Sequence, residues 1–99
     1  SANKGGRVAE ERSGFRVRGS VQGVGFRWWT HRKAVELGLR GAVTNLGDGS
    51  VEVHVAGAPE VIAALARWLD QGPPGSRVRS VERVPSLLPI PTDGFIIEG

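Results

Sequence analysis

A chain of 99 residues, 39% apolar and 23% charged, is long enough for one domain with a single core and too short for two. It has no cysteine and only two histidines, which excludes disulfides, thiolate nucleophiles and cysteine-based metal sites, so we expect neither a metal nor another cofactor. A net charge of +3 favours a small anionic partner or, less specifically, nucleic acid, and the lack of a long apolar run predicts a cytoplasmic protein without a membrane span.

The first predicted element is a strand over residues 14–21, where apolar and polar residues alternate in GFRVRGSV. Before it, residues 1–13 carry charge and glycine without apolar periodicity, and the sequence does not start with methionine. We interpret residues 1–13 as a flexible tail or a remnant of processing or cloning, and residues 14–99 as the folded domain.

A glycine-rich stretch, GSVQGVGFR, follows over residues 19–27. From Phe26 onward the apolar spacing becomes three or four residues, through Thr30, Ala34 and Leu37, and Gly38 stands where a helix commonly ends. The glycine-rich stretch is therefore predicted to connect a strand to the first turn of a helix.

The rest of the chain predicts a hairpin, a second helix and two further strands. Residues 40–46 and 50–56 lie on either side of an Asp-Gly turn, which is typical of a hairpin. Helical spacing runs from Pro59 to Gly72. Apolar and polar residues alternate again over residues 77–84, which predicts a strand with a bulge between Val78 and Val81. The stretch GFIIEG predicts a short closing strand.

This order of elements predicts a ferredoxin-like α+β sandwich, β-α-β-β-α-β, with a short fifth strand. Right-handed crossovers place both helices on one face of a mainly antiparallel sheet. The first two strands then run parallel with the third strand between them. Their C-terminal ends therefore lie at the same edge of the sheet.

The glycine-rich loop is suited to binding an anion. Backbone N–H groups in glycine conformations form a concave nest, and the following helix adds its unpaired N-terminal donors and the positive end of its dipole. Arg27 can close on the same anion with a planar two-donor fork, and a phosphate group fits these donors best. The stretch matches neither the Walker nor the dinucleotide-binding pattern, and Val21 stands where a cysteine-dependent phosphatase loop needs its nucleophile.

Asn45 is the second candidate, because the predicted topology brings the end of the second strand beside this loop. An uncharged amide next to bound phosphate can orient a water molecule for attack. The structural alternatives stay open at this point. The glycines can serve only as a tight connection, Arg27 can be a solvated first-turn residue, and Asn45 can simply start the turn.

The sequence resembles the acylphosphatase family in several motifs: Gln22-Gly23-Val24-Gly25-Phe26-Arg27, LGLRG at residues 37–41, Val43-x-Asn45 and Asp48-Gly49-Ser50-Val51-Glu52. The resemblance covers about residues 14–98, through GPPGSRV at residues 72–78 to Phe95. It implies a metal-independent hydrolase that splits the carboxyl-phosphate bond of a small acyl phosphate into a carboxylate and inorganic phosphate.

The resemblance also implies which residues carry this chemistry. The phosphoryl oxygens are held by the guanidinium of Arg27 and by the backbone amides of Gln22, Gly23, Val24, Gly25 and Phe26, while Asn45 positions the attacking water. Since a carboxylate is a weakly basic leaving group, the transition state needs mainly positioning and charge stabilisation. Ala42 and Thr44 depart from the large aromatic and the basic residue often found at these positions, so we infer no substrate preference.

The remaining polar and aromatic residues are interpreted structurally. Trp28 and Trp29 can line the mouth of the pocket, but we predict that they pack in the helix layer, because aromatic side chains bury large areas. His31 and His54 are predicted to be surface or half-buried residues outside the motifs. Ser20 has no candidate base near it in sequence. A solvated face of the sheet is expected for five arginines that alternate along the strands: Arg16, Arg18, Arg77, Arg79 and Arg83.

Two other functions remain open. RNA-recognition domains share the same order of elements, but the third strand, SVEVHVA, has no aromatic residue for base stacking, which disfavours nucleic acid as a partner. The other alternative is a phosphate-binding accessory domain, since acylphosphatase-like domains also occur within larger carbamoyl-transfer proteins.

Overall fold

The structure is a computed structural model that describes residues 10–86 and 89–98. The elements in this part of the chain are β1 (Glu11–Ser20), α1 (Phe26–Glu36), β2 (Arg40–Asn45), β3 (Val51–Gly57), α2 (Pro59–Gln71), β4 (Arg77–Val84) and β5 (Phe95–Glu98). Their order confirms the predicted ferredoxin-like α+β fold with a short C-terminal strand.

The sheet has the strand order β4-β1-β3-β2-β5. β1 and β2 each pair antiparallel with β3, so they run parallel to each other, and β5 joins β2 in parallel. The ends of β1 and β2 therefore lie at one edge of the sheet, as predicted. This edge holds the loop after β1 and Asn45, the last residue of β2.

The first strand is longer than the sequence pattern predicts. β1 begins at Glu11 rather than Gly14, because residues 11–13 pair with residues 57–55 of β3. Backbone pairing can include these residues even though their side chains show little apolar alternation. Residues 1–9 of the predicted flexible tail lie outside the described residues.

The predicted bulge in β4 is confirmed. Arg18 pairs with Ser80 and Gly19 with Val78, which leaves Arg79 as the extra residue of β4. Gly19 has a φ of 133°, and a Cβ atom built there would lie 2.0 Å from the carbonyl oxygen of Arg77. The close approach of the two backbones at this bulge requires glycine.

The core lies between one face of the sheet and the two helices. α1 lies over β2 and β5, and α2 lies over β4, β1 and β3. The buried side chains alternate along the strands and meet those of the helices, and they include Phe15, Val17, Val43, Val51, Val53, Val55, Phe26, Ala34, Ile62, Leu65 and Leu69. Neither helix in the described part of the chain has the length and apolarity needed to span a membrane.

The second face of the sheet carries a polar cluster around Glu52. Its Oε2 accepts hydrogen bonds from Nη2 (2.7 Å) and Nε (3.0 Å) of Arg16, and its Oε1 lies 2.8 Å from Nε2 of His54. Nδ1 of His54 lies 2.9 Å from the hydroxyl of Ser86. Burial disfavours the charged carboxylate, but the hydrogen bonds from His54 and Arg16 keep the pKa of Glu52 below its ordinary value.

This cluster corrects two expectations. His54 is buried rather than surface or half-buried, and both of its ring nitrogens have partners, which makes burial tolerable. Arg16 and Arg18 are half-buried and form ion pairs with acidic residues instead of lying free on a solvated face. The other three arginines of the predicted set, on β4, are exposed as predicted: Arg77, Arg79 and Arg83.

Candidate functional site

A small pocket of about 100 Å³ lies where the loop after β1 meets the end of β2. The residues that line it are Val21, Gln22, Gly23, Gly25, Phe26, Arg27, Trp28 and Asn45. The fold thus brings Asn45 next to a loop about 20 residues earlier in the chain. Val24 is the one predicted site residue that is absent from the lining, and it packs against the core.

The loop has the left-handed conformation that its glycines permit. Gly23 has a φ of 80° and Gly25 a φ of 77°. A Cβ atom at either position would meet no other atom within 4 Å, so the restriction is one of backbone conformation and not of space. These glycines allow the chain to turn from β1 directly into α1.

The start of α1 leaves its donors available to a ligand. Gly25 is the N-cap residue, and its carbonyl oxygen accepts the N–H of Trp29 at 2.9 Å. No side chain among residues 10–86 and 89–98 caps this end of the helix, and the first turn contains no acidic residue. The N-terminal N–H groups and the positive end of the helix dipole therefore favour an anion at this point.

Gln22 fastens the loop to the β2–β3 hairpin. Its Nε2 donates to the carbonyl oxygens of Leu46 (2.8 Å) and Ser50 (2.9 Å). Asp48 shapes the same turn by accepting the hydroxyl and the N–H of Ser50, and these two bonds hold the pKa of Asp48 below its ordinary value. Since Asn45 lies directly before this turn, the tether sets the distance between the loop and Asn45.

Arg27 is oriented by the last described strand. Its Nη1 donates to the carbonyl oxygen of Glu98 at 3.2 Å, and the side chain is half-buried at the pocket. A guanidinium has five N–H donors, so this bond leaves others for a ligand. That β5 supports the arginine could not be predicted from the sequence, because the contact is made by a backbone oxygen.

The two tryptophans of α1 differ in their exposure to solvent. Trp29 packs as predicted, with its ring 5.5 Å from Phe26 and 5.2 Å from Trp68. For Trp28 the packing prediction is wrong and the alternative position at the pocket mouth holds, because the residue is 65% exposed and borders the pocket. Consecutive helical residues point about 100° apart, so one of two adjacent tryptophans can face the core while the other faces solvent.

The other residues weighed from the sequence lie outside the pocket lining. Ser20 is exposed, His31 is half-buried, and Ala42 and Thr44 are half-buried in β2. The ring of His31 contacts those of Trp28 and Phe95 at 5.6 and 5.9 Å.

Comparison with known proteins assigns the family. The family model described as acylphosphatase matches residues 14–97. The chain belongs to the acylphosphatase family. A curated acylphosphatase from Synechococcus sp. (strain RCC307) is 50% identical over 80 residues, which covers 81% of this chain and 68% of that protein. The family makes the chain an enzyme that acts on a small acyl phosphate and yields phosphate.

Solved structures agree with the acylphosphatase fold. An acylphosphatase from Coxiella burnetii has a TM-score of 0.81 and 37% identity, with 90% of this chain and 93% of that chain covered. Full-length HypF in a phosphate- and nucleotide-bound form has a TM-score of 0.77 and 29% identity. The similarity to HypF covers 95% of this chain and only 12% of that much longer one.

Proposed function

We propose that this pocket hydrolyses the carboxyl-phosphate anhydride bond of small acyl phosphates, without a metal or other cofactor. The observation that carries the proposal is that the glycine loop, Arg27 and Asn45 border one pocket although they come from different elements. Membership of the acylphosphatase family supports the reaction class. The roles of the individual residues follow from their chemistry.

In this mechanism the phosphoryl group is held by backbone donors and one guanidinium. The backbone N–H groups from Gln22 to Phe26 and the N-terminal end of α1 bind its oxygens, and Arg27 closes on them with paired N–H donors. These donors are held in place by the fold before the substrate arrives, so they stabilise the charge of the transition state with little reorganisation.

Asn45 supplies the nucleophile by orienting a water molecule. The water oxygen forms a bond to phosphorus while the bond from phosphorus to the bridging acyl oxygen breaks, and the electron pair leaves with the carboxylate. The proton of the water passes to the phosphate product or to solvent. Because the carboxylate is a weak base, it leaves without a general acid, which suits a pocket whose lining, among the described residues, includes no acidic or histidine side chain.

Substitution of Arg27 tests the phosphoryl site. We expect Arg27→Ala and Arg27→Lys each to lower kcat/KM for benzoyl phosphate by roughly 10²- to 10³-fold, the lysine because it lacks the planar fork. Hydrolysis is followed by ultraviolet absorbance in the presence of EDTA, since the proposal needs no metal. Arg67→Lys, an exposed arginine of α2, serves as the control and keeps wild-type activity. An Arg27→Lys variant with wild-type turnover would contradict the role of the fork.

Substitution of Asn45 tests the water-positioning role. Asn45→Ala should lower kcat by about 100-fold, because a nucleophile that is poorly placed loses about that much rate. Competitive inhibition by inorganic phosphate should stay within about 2-fold of wild type, because the amide acts on the water and not on the phosphoryl oxygens. If phosphate inhibition weakens in parallel with turnover, Asn45 binds phosphate instead.

A second candidate is a phosphate-binding accessory domain without turnover of its own. The similarity to a small part of the long HypF chain favours it. The purified 99-residue chain distinguishes the two functions. Multiple turnovers of benzoyl phosphate support the enzyme, whereas phosphate binding without turnover supports the accessory role.

A further inference from the structure

We infer that Trp28 selects the acyl group of the substrate, and that the enzyme prefers acyl phosphates with a flat aromatic acyl group over those with a small aliphatic one. This inference rests on the proposed function. It concerns the half of the substrate that the loop, Arg27 and Asn45 do not hold.

The size of the pocket requires the acyl group to lie at its rim. Pockets that enclose a drug-sized ligand have volumes of roughly 300–1,000 Å³, whereas this pocket measures about 100 Å³. With the phosphoryl group against the loop, an aromatic acyl group extends out over the surrounding side chains. The exposed side chains at the rim therefore decide which acyl groups bind well.

The direction of in-line attack and the exposure of the lining residues indicate which residue at the rim contacts the acyl group. The attacking water and the leaving oxygen lie on opposite sides of phosphorus, so the acyl group leads away from the water at Asn45. Of the apolar lining residues, Val21 is fully buried and Phe26 is 2% exposed, so neither offers surface to the acyl group. Trp28 is the apolar side chain of the lining that is exposed, at 65%.

The position of Trp28 on α1 is not explained by core packing. The buried residues of this helix are Phe26, Thr30 and Ala34, which form its inner face. An indole carries one of the largest apolar surfaces of any side chain, and leaving most of it in water forgoes the stabilisation of burial. A ligand that covers the ring recovers that stabilisation.

The indole also has a packing partner on its own helix. The rings of Trp28 and His31 pack edge to face, with their centroids 5.6 Å apart and an interplanar angle of 76°. The ring centroids of His31 and Phe95 are 5.9 Å apart. Phe95 is 6% exposed and belongs to the core, so a row of three rings connects the rim to the interior. A ring that already packs against a neighbour loses less conformational entropy when a ligand stacks on it than a ring without one.

The test compares two substrates in four proteins: wild type, Trp28→Ala, Trp28→Phe and the control Val35→Ala. Val35 is also an exposed apolar residue of α1, at 54%, and lies outside the pocket lining. We expect Trp28→Ala to lower kcat/KM for benzoyl phosphate about 10-fold, mainly through KM, because an aromatic pair contributes roughly 3- to 10-fold beyond the area it buries. Activity on acetyl phosphate stays within about 2-fold.

The remaining variants complete the pattern. Trp28→Phe keeps a flat ring and recovers most of the preference for benzoyl phosphate, and Val35→Ala changes neither substrate. Inhibition by inorganic phosphate is unchanged in Trp28→Ala, which shows an intact phosphoryl site. Equal losses on both substrates, or no loss on benzoyl phosphate, would overturn the inference while leaving the proposed function intact. A wild-type protein that hydrolyses neither substrate would overturn both.

Discussion

Backbone carbonyl oxygens orient two side chains of this site, those of Gln22 and Arg27. Gln22 is held by two carbonyl groups of the β2–β3 turn, and Arg27 by the carbonyl group of Glu98 at the end of β5. The loop, the hairpin and the last strand are thus connected at the pocket through main-chain acceptors. Changes of side chain at the acceptor residues leave these contacts in place, whereas changes of the donor remove them.

Removal of the Gln22 donor should therefore loosen the site. We expect Gln22→Ala to lower kcat on benzoyl phosphate about 10-fold, because Asn45 and the loop lose their fixed separation. The two lost hydrogen bonds should lower the free energy of unfolding by about 1 kcal/mol, measured by urea denaturation. Gln71→Ala, an exposed glutamine at the end of α2, is the matched control and changes neither quantity. Wild-type turnover in Gln22→Ala would contradict the tether.

For single residues, the sequence predicts some positions at the site better than others. The meeting of Arg27, Asn45 and the glycines at one pocket could be predicted, because a motif and the strand order both point to it. The tether of Gln22 and the exposure of Trp28 could not, because they depend on a turn conformation and on the rotation of α1 about its axis. The burial of His54 was missed for a different reason, because one of its two partners, Ser86, lies 32 residues later in the chain, after β4.

Among the elements, β1 and β4 meet at the bulge that precedes the glycine loop. Gly19 lies one residue before the end of β1, and its backbone lies against Arg77 and Arg79 of β4. The spacing of valines in β4 predicted the bulge, whereas the start of β1 at Glu11 was missed because pairing there uses backbone groups and no apolar pattern.

Substitution of two glycines distinguishes the stability lost to a steric overlap from the stability lost to backbone conformation. Both Gly19 and Gly75 have a positive φ, of 133° and 89°, but a Cβ atom at Gly75 would have no neighbour within 4 Å. We expect Gly75→Ala to cost about 1–2 kcal/mol of unfolding free energy from conformation alone. Gly19→Ala should cost more than about 4 kcal/mol or prevent folding, because the Cβ atom would overlap the carbonyl of Arg77. Equal losses in urea denaturation would show that the bulge can widen.

For the molecule as a whole, the sheet divides the protein into an apolar side and a charged side. The helices cover the first face, and the second face holds Arg16, Glu52 and His54 in one hydrogen-bonded cluster. The fold class and the strand order could be predicted, because the spacing of the apolar residues indicates which side chains face the helices. The cluster could not, because polar residues on a strand look the same whether they are solvated or paired.

The lowered pKa of Glu52 predicts a loss of stability in acid. A carboxyl group whose pKa is lower in the folded state stabilises the fold fully above its ordinary value of 4.5, and this contribution disappears as the pH falls through the lower folded pKa. Glu52→Gln should lower the unfolding free energy at pH 7 by about 2 kcal/mol, which is the size expected for hydrogen bonds to a charged group. It should also make Tm less sensitive to pH between 5 and 3.

Thermal unfolding from pH 7 to pH 3 measures this effect. Glu11→Gln, at the exposed start of β1, is the control and keeps the wild-type dependence on pH. The same steep acid loss in Glu52→Gln as in wild type would assign the sensitivity to other carboxylates.

The bond between Arg27 and Glu98 has a practical consequence for anyone who produces this enzyme. A purification tag fused after Gly99 begins two residues beyond Glu98, whose carbonyl group orients the arginine. Glu11, by contrast, stands at the far end of a ten-residue strand, about 30 Å of extended chain from the loop. Handles for immobilisation, fluorescent labels and fusion partners therefore belong at the amino end.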